Sequence, residues 1–186
     1  MKDGVIDEIG NSNFKNTENC DVIIDADGAT ITPGFIDSHV HITFGDFTPR
    51  QNTVGYLTSY LHGGTTTSIT ASEVHVPGRP SDPEGVKALA LAAKKCFDNY
   101  KPGGMTVFAG SIILEPGLKL EDFMELNQKG VWLAKAGFGK VKSADEYIEL
   151  VSNAKKSGLN VSCSVGLPHL LFTDKEIQNF DPNYIW

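Results

Sequence analysis

The chain is poor in cysteine, in positive charge and in long apolar runs, and each shortage closes off a class of function. Its 3 cysteines, Cys20, Cys96 and Cys163, are odd in number and far apart. No Cys-x-x-Cys pair exists, which argues against a zinc knuckle or a thioredoxin-like motif and fits a reducing compartment. Lys and Arg number 16 against 23 Asp and Glu, a formal net charge of -7. A nucleic-acid surface needs a basic stripe, and the basic residues here are scattered or lie on predicted helix faces. No apolar stretch approaches the roughly 20 residues that span a bilayer. The opening residues, Met1 to Gly10, lack the apolar core of a secretion signal. The expectation is a cytoplasmic protein with neither a nucleic-acid nor a membrane partner. No Gly-x-Gly-x-x-Gly follows the first candidate strand, so a dinucleotide-binding sheet is disfavoured.

What is present is a regular alternation. The 186 residues, 40% of them hydrophobic, suffice for one domain with its own core. Residues 1–32 hold β-rich pieces at Val5-Ile6 and Val22-Ile23-Ile24, with turn signals at Asn11-Ser12-Asn13 and Asp27-Gly28. That piece is too small to bury a core of its own. After Pro33-Gly34 the pattern predicts strands over 35–40, 65–70, 105–113, 131–134 and 159–163. Helices are predicted between them. One covers 52–61, and another covers 120–128. Ser81-Asp82-Pro83-Glu84 and Ser143-Ala144-Asp145-Glu146 read as capping boxes opening the other two. The first of these helices should bury Val86, Leu89, Ala93 and Cys96 or Phe97, the second Tyr147, Leu150 or Val151, and Ala154.

A βα rhythm repeated five times implies a parallel sheet with helices over its outer face. The fold class is therefore α/β: a partial TIM-like (β/α) barrel of about five βα units over 33–186, preceded by a remnant of a small β-domain over 1–32. An open doubly wound sheet is the runner-up. After His169 only residues 174–180 suggest a further, weak helix. The three βα units that would close an eight-stranded barrel are not present.

Ligands in βα folds gather at the carboxyl ends of the strands, and that edge collects the candidate chemistry. His39 and His41 sit two apart at the end of the first strand, so alternation sends both imidazoles, with Asp37, to one face. Two imidazoles so placed can share a metal ion. An isolated His-x-His would more often be a hydrogen-bonded strand end; the Pro-Gly before it and the repeat behind it favour the metal reading. Lys135 ends the fourth strand, where a lysine either reaches solvent or, as a carbamate, ligates a metal. His75 and Arg79, in the loop after the second strand, and Arg50, in the loop after the first, are candidate substrate contacts, Arg79 for a carboxylate. His169 reads as a surface or locally bonded histidine, and His62 as a helix C-terminal residue. Cys163 reads as core, and Trp132 as packing.

Ile31-Thr32-Pro33-Gly34-Phe35-Ile36-Asp37-Ser38-His39-Val40-His41 resembles the opening motif of the amidohydrolase superfamily. Lys2 to Gly10 resembles the end of the small β-domain that precedes it. Gly45-Asp46-Phe47-Thr48-Pro49-Arg50-Gln51, Leu61-His62-Gly63-Gly64-Thr65-Thr66-Thr67, Pro77-Gly78-Arg79-Pro80, Val131-Trp132 and Ala136-Gly137-Phe138-Gly139 extend the likeness, within that superfamily, to its enamidase branch. The resemblance implies a metal-dependent hydrolase of a C–N bond in a cyclic amide. It implies zinc, or iron or another divalent metal, on His39 and His41. It places Lys135 at or next to the fourth-strand carboxylate ligand. It also exposes departures. The fifth-strand histidine of the family falls on Ser164, and a serine is a poor zinc ligand. The later histidine and the catalytic aspartate of the family fall beyond residue 186. An inactive chain, a non-catalytic metal- or ligand-binding fragment, a homo-oligomer or a complex with a complementing C-terminal half are the corresponding expectations.

Overall fold

The computed structural model describes residues 1–10, 20–41, 53–73, 78–137 and 139–164. The chain divides into two units, Met1–Pro33 and Gly34–Trp186. In the first, the expected strands do not form among the described residues. One antiparallel bridge, Lys2 to Val5, is present, and Asp27-Gly28 makes the predicted turn with both residues at positive φ. Val22, Ile23 and Ile24 are exposed. A β-rich triplet with no neighbouring strand has nowhere to place its backbone hydrogen bonds, so propensity alone does not make it a strand.

The second unit alternates strand and helix as its sequence predicts. Strand β1 is Phe35–Val40, helix α1 Thr53–His62, β2 Thr65–Thr70, α2 Pro83–Asn99, β3 Thr106–Phe108, β4 Ile112–Ile113, α3 Leu120–Gln128, β5 Leu133–Ala136, α4 Ala144–Lys156 and β6 Asn160–Cys163. All strand pairings are parallel and follow chain order: β1 with β2 and β2 with β3, then β4 with β5 and β5 with β6.

The segment predicted as a single strand over 105–113 is broken into β3 and β4. Gly110 lies between them at φ +98, a left-handed conformation open to glycine. A Cβ there would come within 2.8 Å of the Ala90 carbonyl oxygen on α2. The break is held from the neighbouring strand. The buried Glu73 carboxylate accepts from the Gly110 N–H and from the Thr70 hydroxyl at 2.7 Å, and Ser111 Oγ donates to the Ala71 carbonyl at 3.0 Å.

Helix starts follow capping chemistry with one shift. Asp82, rather than Ser81, caps α2: its carboxylate accepts from Gly85 N–H at 2.9 Å, and Pro83 occupies the first turn, where its missing N–H costs nothing. Ser143 caps α4 as predicted, through the Glu146 N–H, but Glu146 reaches back to the Lys142 N–H, so the box is one residue wider than the pattern suggests.

Two apolar clusters lie under the helices. One joins Val86 and Ala90 of α2 to Ile112, Leu126, Ala134 and Leu150. The other joins Ala93 and Phe97 of α2 to Val40, Leu57 and Val107. Helix α2 is thus shared by both, and its buried face runs through Ala90 rather than the predicted Leu89, with Cys96 exposed. No helix among the described residues is long and apolar enough to cross a membrane.

Candidate metal centre

Strand alternation places the two histidines. Val40 is buried, packed with Leu57 and Phe97, so the residues on either side of it turn to the opposite face. There His39 and His41 converge, their Nε2 atoms 3.2 Å apart and their rings nearly perpendicular at 83°. The Asp37 carboxylate accepts the His39 backbone N–H at 3.0 Å, which pins this end of the strand.

Lys135 enters the same space from β5. Its residue is 1% exposed, in a strand whose neighbours are Ile113 and Ser162. Its Nζ donates to Ser164 Oγ at 2.9 Å, and the same oxygen lies 2.9 Å from His39 Nδ1. The contact between Ser164, just past β6, and His39, on β1, also fixes the shape of the sheet. Five parallel strand positions in a flat sheet would hold the outer two about 19 Å apart. A serine and a histidine cannot bridge that gap, so the two three-stranded sheets, β1-β2-β3 and β4-β5-β6, curve round together as part of a barrel and bring His39, His41, Lys135 and Ser164 together at their carboxyl end.

The environment disfavours extra protons on these groups. Burial lowers the Lys135 pKa below that of a free lysine. The His39 pKa is lowered by partial desolvation and by the Lys135 charge, against the pull of Asp37. That of His41 is lowered by burial, then by His39 and Lys135, with the Ser72 backbone working the other way. Neutral imidazoles are the ligating form.

These residues fit a single ion in part. Two nitrogens each about 2.0–2.1 Å from one tetrahedral ion lie about 3.3 Å apart, close to the separation of the two Nε2 atoms. Lys135 as an amine is a donor and no ligand; as a carbamate it would be an oxygen ligand. Among the described residues no group of three or more His, Cys, Asp or Glu side chains is placed to hold a metal.

The remaining predicted site residues divide. Arg79 pairs with Glu115, a carboxylate buried at the end of β4, and donates to the Pro80 carbonyl at 2.9 Å. The other Glu115 oxygen accepts the Lys140 N–H at 2.6 Å. One carboxylate thereby ties the segment before α2 to the segment after Lys135. Arg50, His75 and His169 lie outside the described residues. His62 ends α1 as anticipated, and Trp132 packs edge-on against Phe108. Cys163, expected in the core, is exposed, because β6 has no further strand beside it among the described residues. Glu73 and Glu115 were not singled out in the sequence. The available signal was an acidic residue just past a β-branched or apolar strand, at the edge where ligands gather.

Comparison with known proteins supplies context for this arrangement. The model of the Amidohydrolase family matches residues 30–178. An enamidase of Eubacterium barkeri is 42% identical over 167 residues, covering 89% of this chain and 43% of its own. An imidazolonepropionase of Clostridium tetani (strain Massachusetts / E88) is 36% identical over 161 residues, covering 79% of this chain and 36% of its own. A crystal structure of enamidase superposes with a TM-score of 0.73 at 43% identity, over 82% of this chain and 40% of that one. The chain therefore spans less than half the length of these relatives.

Proposed function

The chain belongs to the amidohydrolase family, and from that premise we propose that its site serves metal-dependent hydrolysis of a C–N bond in a small cyclic amide. The observation that carries the reading is the His39–His41 pair, with Nε2 atoms 3.2 Å apart at the carboxyl end of the first strand of a parallel β1-β2-β3 sheet. His39 and His41 would hold the ion, zinc in the first instance, with iron or another divalent metal as alternatives. Such an ion supplies Lewis acidity, polarising the amide carbonyl and acidifying water.

Lys135 is the third proposed ligand. Its unprotonated amine, which burial favours, is the form that adds carbon dioxide; a proton leaves the nitrogen, and the product carbamate would place an anionic oxygen next to the histidines. Arg50, His75 and Arg79 are the proposed substrate contacts. At Arg79 a substrate carboxylate would compete with Glu115 for the guanidinium, so that contact and the loop tie are coupled. The cytoplasm is the proposed compartment.

A second reading, a non-catalytic metal or ligand binder, is favoured by Ser164, which stands 2.9 Å from His39 Nδ1 and is a poor zinc ligand. Two measurements on one sample separate the readings. Zinc-loaded, dialysed protein should retain metal that the His39→Ala/His41→Ala double variant loses. Metal content equal in both would remove the site assignment. Retained metal without turnover of a cyclic enamide would leave the binder.

A further inference from the structure

We propose that Glu115 is a positioning residue: it couples the loops that follow β2, β4 and β5, so that residues 78–82 and 139–142 open and close together at the carboxyl edge. That edge is where βα folds bind their ligands, and each of the three loops leaves it from the end of its own strand. Glu115 stands two residues past β4 and is wholly buried. Its two oxygens serve the two flanking loops separately. Oε1 pairs with the Arg79 guanidinium, and Oε2 accepts the Lys140 N–H at 2.6 Å. The partners lie 36 residues before it and 25 after it, so neither contact belongs to a local turn. The backbones agree. A Cβ on Gly139 would collide with the Leu114 carbonyl oxygen, so the segment after β5 lies directly on the segment after β4. On the other side, a Cβ on Gly117 would stand 3.3 Å from Pro83, at the start of α2. Arg79 is also held by its own chain, Nη1 donating to the Pro80 carbonyl at 2.9 Å. A displacement of 78–82 therefore carries the guanidinium, the guanidinium carries the carboxylate, and the carboxylate carries the Lys140 amide.

The pair is better suited to positioning than to stability. The Arg79 side chain is 9% exposed and that of Glu115 0%, so both charges are out of water. Desolvating such a pair offsets much of its attraction, and apolar side chains of similar volume in its place are often neutral or stabilising. An apolar pair, however, has no direction. A carboxylate has two acceptor oxygens and fixes a guanidinium and an amide at once. Losing one partner leaves a buried polar group poorly satisfied, which favours losing both together. A ligand drawing on Arg79, the contact proposed above, would by this route loosen 139–142 as well. The coupling itself does not depend on that reading, and it is measured without a ligand.

Hydrogen–deuterium exchange on the full chain tests it, read by mass spectrometry in peptides covering 78–86, 139–146 and, as a control, 150–156 in α4. Arg79→Met removes one end of the tie and leaves the Lys140 N–H and its acceptor in place. It should nonetheless speed exchange in 139–146 by about tenfold or more, the effect of losing a hydrogen bond to a charged group, with 150–156 unchanged. Arg79→Lys, which keeps the charge, should restore most of the protection. The double variant Arg79→Met/Glu115→Gln separates positioning from stability, and it serves equally if Arg79→Met alone fails to fold. It leaves no buried charge without a partner and keeps an acceptor for the Lys140 N–H. Its thermal midpoint should return toward wild type, while 139–146 still exchanges fast. An Arg79→Met protein that exchanges faster in 78–86 alone would overturn the proposal, because the loops would then be independent. Acceleration equal in 150–156 would do the same, since the pair would then act on the whole fold. So would a double variant that recovers both its midpoint and its protection at 139–146.

Discussion

At the scale of single residues, the histidine pair was legible because a strand has period two: a buried Val40 forces its neighbours to the other face. What joins them was not legible. Ser164 is 125 residues from His39 in sequence, and its contact depends on the curl of the whole sheet. Arg79 shows the same limit. A lone arginine in a loop reads as a substrate contact, and its partner Glu115, 36 residues on, becomes visible when both loops are placed. The pair makes a prediction. Glu115 is fully buried, holding both the Arg79 guanidinium and the Lys140 N–H. Glu115→Ala should leave a partly buried cation and an N–H without that partner, costing about 2–4 kcal/mol in urea unfolding. Glu115→Gln, which retains an acceptor, should cost less. Equal losses in the two variants would show that the space filled, and not the hydrogen bonds, is what matters there.

At the scale of elements, helices were read closely because capping residues and apolar periodicity are local; α3 falls on its predicted bounds and α1 is displaced by one residue. The strands were read less well where a neighbour acts on them. Nothing local to 105–113 requires a break at Gly110; it is required by Glu73 on one side and by the approach of α2 on the other. Gly110→Ala tests this. It should cost about 1–3 kcal/mol through the left-handed backbone and the clash with the Ala90 carbonyl.

The joint between α2 and α3 gives a pH prediction. Lys87 Nζ lies 2.8 Å from Asp122 and 3.2 Å from Glu125, and 2.9 Å from Glu84 on its own helix. Its pKa is raised, first by Asp122 and then by Glu84, so its contribution is present below the unfolded lysine value and is lost far into the alkaline range. For Asp122 burial acts against the carboxylate, but the Lys87 hydrogen bond and the Lys119 backbone outweigh it and lower the pKa. Its contribution is therefore present above the unfolded value of about 3.9 and lost as the pH falls through the folded one. Lys87→Met keeps most of the side chain's volume and removes the charge. The variant should lose about 1–2 kcal/mol at pH 7, discounted because Glu84 and Glu125 are largely in solvent. The difference from wild type should shrink in unfolding curves taken near pH 3. A difference that is constant from pH 7 to pH 3 would assign the effect to packing of the lysine stem.

For the whole molecule, what governs behaviour in solution is the surface that its own described elements leave uncovered. Strand β1 has β2 on one side and, among the described residues, no strand on the other; β6 stands likewise at the far end. Such edges present unpaired N–H and C=O groups that another chain can use. The side chains reinforce this. Phe35 and Ile36 on β1 are each 67% exposed, although β1 is a strand that in a closed barrel would be covered on both faces. Val22, Ile23 and Ile24 in the first unit are exposed as well. Contiguous apolar surface above roughly 400 Å² marks an interface or an aggregation liability. At about 25 cal/mol per Å², leaving that much uncovered forgoes on the order of 10 kcal/mol, an upper estimate comparable with the stability of a typical domain. The net charge of -7 opposes association only weakly at physiological salt, where charges are screened over about 8 Å. The two open strand edges are therefore expected to draw these residues into association, in the first instance with a second copy. Light scattering at low micromolar concentration should give a mass above the 20.1 kDa monomer. Phe35→Lys, which puts a charge on the β1 edge as natural edge strands do, should shift the distribution toward monomer. A monodisperse monomer with a sharp cooperative melt, unchanged in mass by Phe35→Lys, would overturn this expectation.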